Sequence, residues 1–168
     1  RGPGEGSPIV TENQPPPWLS IVVPLKNEAE NVAFVTEAIA AACADLGPYE
    51  VIYVDDGSTD ATPAILEDLR KEFPNRLRVI SGQEPPEGWL GKPHALHQGA
   101  LAARATRPSD WLCFSDADIR FERDLLARAF AHARREKLDF LTLFPTLEAE
   151  TAVERFLAPT VATVACCY

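Results

Sequence analysis

Residues 111–119, WLCFSDADI, begin as an apolar run fit for a buried strand and end on two carboxylates, Asp116 and Asp118, one residue apart. A strand that delivers acids at its carboxyl end suits a sheet of parallel strands flanked by helices, where loops leave the core at that end and gather around ligands. The rest of the chain repeats the unit. WLSIVVP (18–24) is a short β-rich run, followed by Val32, Val35, Ile39 and Cys43 at helical spacing up to Gly47-Pro48. EVIYV (50–54) reads as a second strand, and Ile65, Leu66, Leu69 and Phe73 as the stripe of a helix with Pro63 in its first turn. LRVIS (77–81) is a third strand and Gly91 to Arg104 a helix. After the fourth strand, WLCFS (111–115), a further helix carries Leu125, Leu126, Ala129, Phe130 and Ala133, and LDFLTLF (138–144) reads as another strand. This alternation predicts an α/β fold with a mostly parallel, Rossmann-like sheet and helices on both faces.

The chain of 168 residues is 46% hydrophobic, enough for one domain with its own core. Residues 1–17, RGPGEGSPIVTENQPPP, show no hydrophobic period and read as a flexible lead-in, which leaves 18–168 as the domain. The sequence starts at Arg1 and contains no methionine, so it is expected to be a piece of a longer protein. Cys43, Cys113, Cys166 and Cys167 form no C-x-x-C pair and suggest reduced thiols and a cytosolic compartment. Sixteen Lys plus Arg against 25 Asp plus Glu give a net charge of -9, which disfavours nonspecific binding to nucleic acid or to an anionic membrane. An anionic ligand would need a local counter-charge.

The acids fall where three predicted strands end: PLKNE (24–28), DDGSTD (55–60) and Asp116-Ala117-Asp118. Two carboxylates held ~4 Å apart repel by roughly 1 kcal/mol in water and about 4 kcal/mol at an effective dielectric near 20. A divalent cation relieves that repulsion, and oxygen ligands without nearby His or Cys suit Mg²⁺ or Mn²⁺. The plainer reading makes both acids caps for a helix starting near Glu122. In the second cluster Ser58, Thr59 or Asp60 would cap the next helix, while one of Asp55 and Asp56 faces the cleft. Lys92 is either solvated surface or a phosphate contact, and His94 and His97 lack a third ligand for a metal site. Trp89 is either a loop anchor or a ligand-stacking ring.

The ordered series SIVVPLKNEAENV, YEVIYVDDGSTDAT, GWLGKPHALHQGA and WLCFSDADI resembles the nucleotide-binding half of family 2 glycosyltransferases, which have the GT-A fold. The likeness covers roughly residues 18–120. GWLGK (88–92) and LTLFPTLEAETAVERFLAPTV look most similar to bacterial hopanoid-associated and ceramide-glucosyltransferase-like enzymes. The resemblance implies that Pro24 and Glu28 contact base and ribose, that Asp56 reads the nucleobase, and that Lys92 lies near the nucleotide. It also implies that Asp116 lies near ribose and diphosphate and shares, with Asp118, the metal ligation. The implied ligands are a nucleotide-diphosphate sugar, UDP- in preference to GDP-, and Mg²⁺ or Mn²⁺; the implied reaction is inverting transfer to an acceptor hydroxyl, lipids included.

The general base of such enzymes follows D-x-D at a distance. Here Glu148, Glu150 and Glu154 fall on an amphipathic-helix pattern and read as solvated charges, so the base is expected outside this chain. Phe156–Tyr168 carry no charge but are short of the ~20 residues that span a bilayer, and fit either a core helix or the start of a membrane-associated region. The expectation is a soluble piece of a protein acting at the cytoplasmic side of a membrane, reached through segments outside this chain. Rival readings are a sugar nucleotidyltransferase and a Mg²⁺-binding receiver-like signalling domain. A dinucleotide-binding oxidoreductase would need G-x-G-x-x-G where PLKNE stands.

Overall fold

A computed structural model describes residues 17–106 and 108–144. Four strands, β1 (Leu19–Leu25), β2 (Tyr49–Asp55), β3 (Leu77–Ser81) and β4 (Trp111–Phe114), alternate with α1 (Val32–Ala42), α2 (Thr62–Glu72), α3 (Gly91–Thr106) and α4 (Leu125–Glu136). All strands pair parallel in the order β3-β2-β1-β4, as the α/β reading expects. The order runs outward from β1 through β2 to β3, then returns to place β4 on the other side of β1. The direction of winding therefore reverses between β1 and β4, and it is outside the carboxyl ends of such a pair that α/β sheets bind ligands.

β1 and β2 are covered on both faces, which is why they read as unbroken apolar runs rather than alternating ones. One face, with Leu19, Ile21, Val23, Val51 and Tyr53, packs with α1, α2 and α4 into the larger core. The other, with Val22, Ile52 and Val54, packs against Ala95 and Ala103 of α3. Gly99 lets α3 lie close on that face, since a Cβ there would run into the Val22 side chain. Pro24 is tolerated within β1 because β4 ends opposite Val22, so β2 alone flanks the strand at that point.

The predicted strand 138–144 is not one. Lys137 turns into the left-handed region at φ 54°, its amide and that of Leu138 close on the last carbonyls of α4, and residues 138–144 form no ladder. Leu141 and Leu143 instead face Leu125, Ala129 and His132 of α4 across a groove. An apolar run of this length satisfies a helix flank as readily as a strand. The lead-in of residues 1–17 lies outside the described residues except for Pro17, and so do Glu148, Glu150, Glu154 and the segment 156–168. Among the described residues no helix is long and apolar enough to cross a membrane.

Candidate functional site

The loops after β1 and β2 are sewn together. Asn27, at φ 57°, accepts the Thr59 amide on its side-chain oxygen at 2.8 Å and donates its own amide to Ser58 Oγ at 2.8 Å. Glu28 donates its amide to Thr62 Oγ1 at 2.9 Å, and Ala29 donates to Asp60 Oδ2 at 3.3 Å. Asp60 also accepts the Thr62 amide at 3.0 Å, and the Thr62 hydroxyl and amide hold its carboxyl below the usual range. Of the three residues expected to cap α2, Asp60 alone serves its first amide. Ser58 and Thr59 bridge to the β1 loop, so the polar cluster is a clasp before it is a cap.

The clasp sorts the paired acids. Asp55 Oδ1 accepts the Ser58 amide at 3.0 Å, closing the turn in which Gly57 takes φ 76°. Asp56 is left to face Gly82 and Gly91: a Cβ on Gly91 would meet its Oδ2 at 3.0 Å, and one on Gly82 its Oδ1 at 3.4 Å. Both glycines clear room for a carboxylate that has no part in the turn. Pro24 is buried in β1. Glu28 is part-buried; its side chain accepts Asn31 Nδ2 at 2.7 Å and its carbonyl receives the amides of Asn31 and Val32, so it also fixes the start of α1.

Lys92 and Asp116 meet, Nζ to Oδ1, at 2.7 Å. Because Gly91 flanks Asp56 and Lys92 reaches Asp116, the start of α3 joins the carboxyl ends of β2 and β4. Both partners are about half exposed, so the pair adds only ~0–1 kcal/mol to stability. Asp118 is exposed and makes no hydrogen bond or ion pair to another described residue. The capping reading of this pair does not hold: α4 starts at Leu125, seven positions beyond Asp118, and its N-cap is Asp124.

The structure thus brings Asp56, Lys92 and Asp116 to one rim, beside the winding reversal, with Asp118 next to them on the β4 loop. Asp116 and Asp118 offer oxygen donors only, and among the described residues no group of three or more His, Cys, Asp and Glu stands close enough to hold a metal by itself. That donor set fits a hard cation that keeps water and draws its other ligands from a substrate's phosphates.

One charged group was missed in the sequence. Glu50, 2% exposed at the amino end of β2, accepts Ser20 Oγ at 2.7 Å and Arg78 Nη1 at 3.2 Å, while Arg78 also donates to the Ala102 carbonyl. Its partner sits 28 residues away, beyond any local signal. His94 and His97, expected as surface or partly packed side chains rather than a metal pair, both contact the Trp89 ring, at centroid distances of 5.5 and 5.2 Å, with His94 part-buried and His97 exposed.

The family described as Glycosyl transferase family 2 matches residues 20–155. Beta-monoglucosyldiacylglycerol synthase of Nostoc sp. is 33% identical over 122 residues, which are 73% of this chain and 25% of that protein. The chain therefore spans about a quarter of the length of such curated relatives. Among solved structures, a mannosyltransferase from Pyrobaculum calidifontis in complex with GDP-Man and Mn²⁺ superposes with a TM-score of 0.56 at 28% identity, over 72% of this chain and 33% of that one. TarS of S. aureus in complex with UDP-GlcNAc gives 0.50 at 28% identity, over 71% and 32%.

Proposed function

The chain belongs to glycosyl transferase family 2, and from that premise we propose that it is the donor-binding part of an enzyme that moves a sugar from a nucleoside diphosphate to a lipid hydroxyl. The observation that carries the reading is the rim itself: the Lys92–Asp116 ion pair at the winding reversal of a parallel sheet, with Asp56 against the neighbouring Gly91, in a protein of net charge -9. Asp56, cleared by two glycines, would accept hydrogen bonds from the base, and UDP is preferred to GDP. Pro24 and Glu28 line the base and ribose side. Asp116 and Asp118 would hold Mg²⁺ or Mn²⁺, which when bound supplies positive charge for the departing diphosphate. Lys92 adds a fixed cation beside it. The lipid acceptor is supported by relatives whose names specify lipid-linked products, such as the diacylglycerol and undecaprenyl-phosphate enzymes.

Transfer with inversion requires a base on the acceptor side that takes the hydroxyl proton as the sugar–phosphate bond breaks. In this reading the carboxylates of the rim serve the donor and its metal, so the base lies outside them.

Calorimetry with UDP, GDP and their sugars, in Mn²⁺ and again with excess EDTA, tests the reading. The expected result is binding that weakens at least tenfold in EDTA and in Asp118→Asn. Equal affinity with chelator, and in the variant, would remove the metal from the site and return Asp118 to solvent.

A further inference from the structure

Beside the rim stands a feature the donor reading does not use. Trp89 and Leu90 are 44% and 76% exposed, consecutive, and immediately precede Gly91 and Lys92, the residues that touch Asp56 and Asp116. Large apolar side chains left in water at a polar rim call for a partner.

These two side chains are held in place. The Trp89 amide donates to the Pro86 carbonyl at 3.0 Å, closing a turn in which Gly88 takes φ 87°. The Leu90 carbonyl accepts the His94 amide, the first hydrogen bond of α3. One side of the indole rests on His94 and His97. The loop's other end is clamped, with the Gln83 amide donating to Gln98 Oε1 at 2.9 Å while Gln98 Nε2 faces His94 Nδ1 at 3.0 Å. A loop braced at both ends, presenting an indole and an isobutyl group outward, is pre-ordered for an apolar contact rather than collapsed around one.

We propose that the Trp89–Leu90 knuckle enters the hydrocarbon of a lipid layer with uncharged or zwitterionic headgroups, and so sets the donor rim at the surface where a lipid acceptor presents its hydroxyl. The inference rests on the donor reading, because continuity with the rim is what gives the knuckle its place. An indole with one polar edge suits a membrane interface, and Leu90 extends the contact inward. Glu84 and Glu87 in the same loop, on a chain of net charge -9, argue against an anionic surface.

Tryptophan emission reads this directly. Trp18 and Trp111 both pack on Phe130, at 4.6 and 5.3 Å, which leaves Trp89 as the exposed indole. With vesicles of phosphatidylcholine carrying brominated acyl chains, the 168-residue chain should be quenched and Trp89→Phe should not. Leu90→Ser should lower partitioning into the same vesicles about tenfold, from the lost burial of one leucine. Far-ultraviolet circular dichroism and nucleotide-sugar calorimetry, both expected to match the parent in each variant, control for folding. A chain that binds the nucleotide sugar but leaves Trp89 unquenched overturns the knuckle and spares the donor reading. Quenching through Trp89 without nucleotide binding keeps the knuckle and sinks the donor reading. Unchanged quenching in Trp89→Phe overturns the proposal as well.

Discussion

The two ends of the sheet carry similar charges in opposite states. At the amino end Glu50 is 2% exposed and its carboxylate is met by Ser20 and Arg78, which in turn is held by the Ala102 carbonyl. At the carboxyl end the Lys92–Asp116 pair is half in water and Asp118 has no partner among the described residues. A charge whose hydrogen bonds are completed inside the fold is part of the scaffold; a charge left incomplete at a rim is available to a ligand. Ion pairing by itself does not separate the two cases, since both ends have one. Burial and the number of completed contacts do.

The contrast breaks most visibly at Arg78. Arg78→Ala leaves Glu50 buried without its cation, and removing one partner of a buried pair costs ~3–5 kcal/mol. Urea unfolding should show that loss, while nucleotide affinity in the folded fraction stays at the parent value. A variant that unfolds like the parent would place Glu50 with the rim charges.

Substitutions at the rim should do the reverse, leaving stability alone and removing binding. Asp56→Ala should weaken uridine and UDP alike, whereas Lys92→Ala should weaken UDP far more than uridine, each by about 1.5–3 kcal/mol for a charge-assisted contact. Equal losses of both ligands in both variants would show that base and diphosphate are not read separately.

The last effect is one of pH rather than of ligand, at a thiol whose burial outweighs the Arg76 charge near it. Burial pushes the Cys43 thiol from its ordinary value of 9.0 up to about 12. The folded chain keeps a proton that the unfolded chain gives up, so this contribution is whole below pH 9 and is lost as pH rises towards 12. Thermal midpoints should fall across that window, and Cys43→Ala should flatten the slope in part, because burial also raises Cys113 to about 11 and Tyr53 to about 12.

The four strands and their helices were legible because β-branched runs buried on both faces look alike wherever they occur, as in SIVV and VIYV. Family 2 membership was legible for a different reason: the polar residues of its loops sit at fixed distances from those runs. What failed lies where one sequence signal serves two partners. LDFLTLF reads equally as a strand or as a helix flank, and its neighbour α4 decides. Asp116-Ala117-Asp118, by contrast, was legible as rim from its place at a strand end, and the actual start of α4 at Leu125 removes the capping alternative. Glu50 opens the EVIYV strand, where a carboxylate looks like surface; only the pairing of β2 with β3 brings Arg78 to it. The glycines that clear space for Asp56 belong to two other segments, so no local pattern announces them. The finer likeness to ceramide-glucosyltransferase-like enzymes draws much of its support from residues outside the described ones.

The clasp between the β1 and β2 loops has a consequence in time. Asn27, Glu28 and Ala29 donate their amides to Ser58, Thr62 and Asp60, and the Thr59 amide returns to Asn27. The four bonds run between the same two short segments, so parting the loops breaks all of them at once. Their protons should therefore exchange with deuterium together, as a single opening event, and a nucleotide resting on Asp56 should slow the whole set rather than the amide nearest to it.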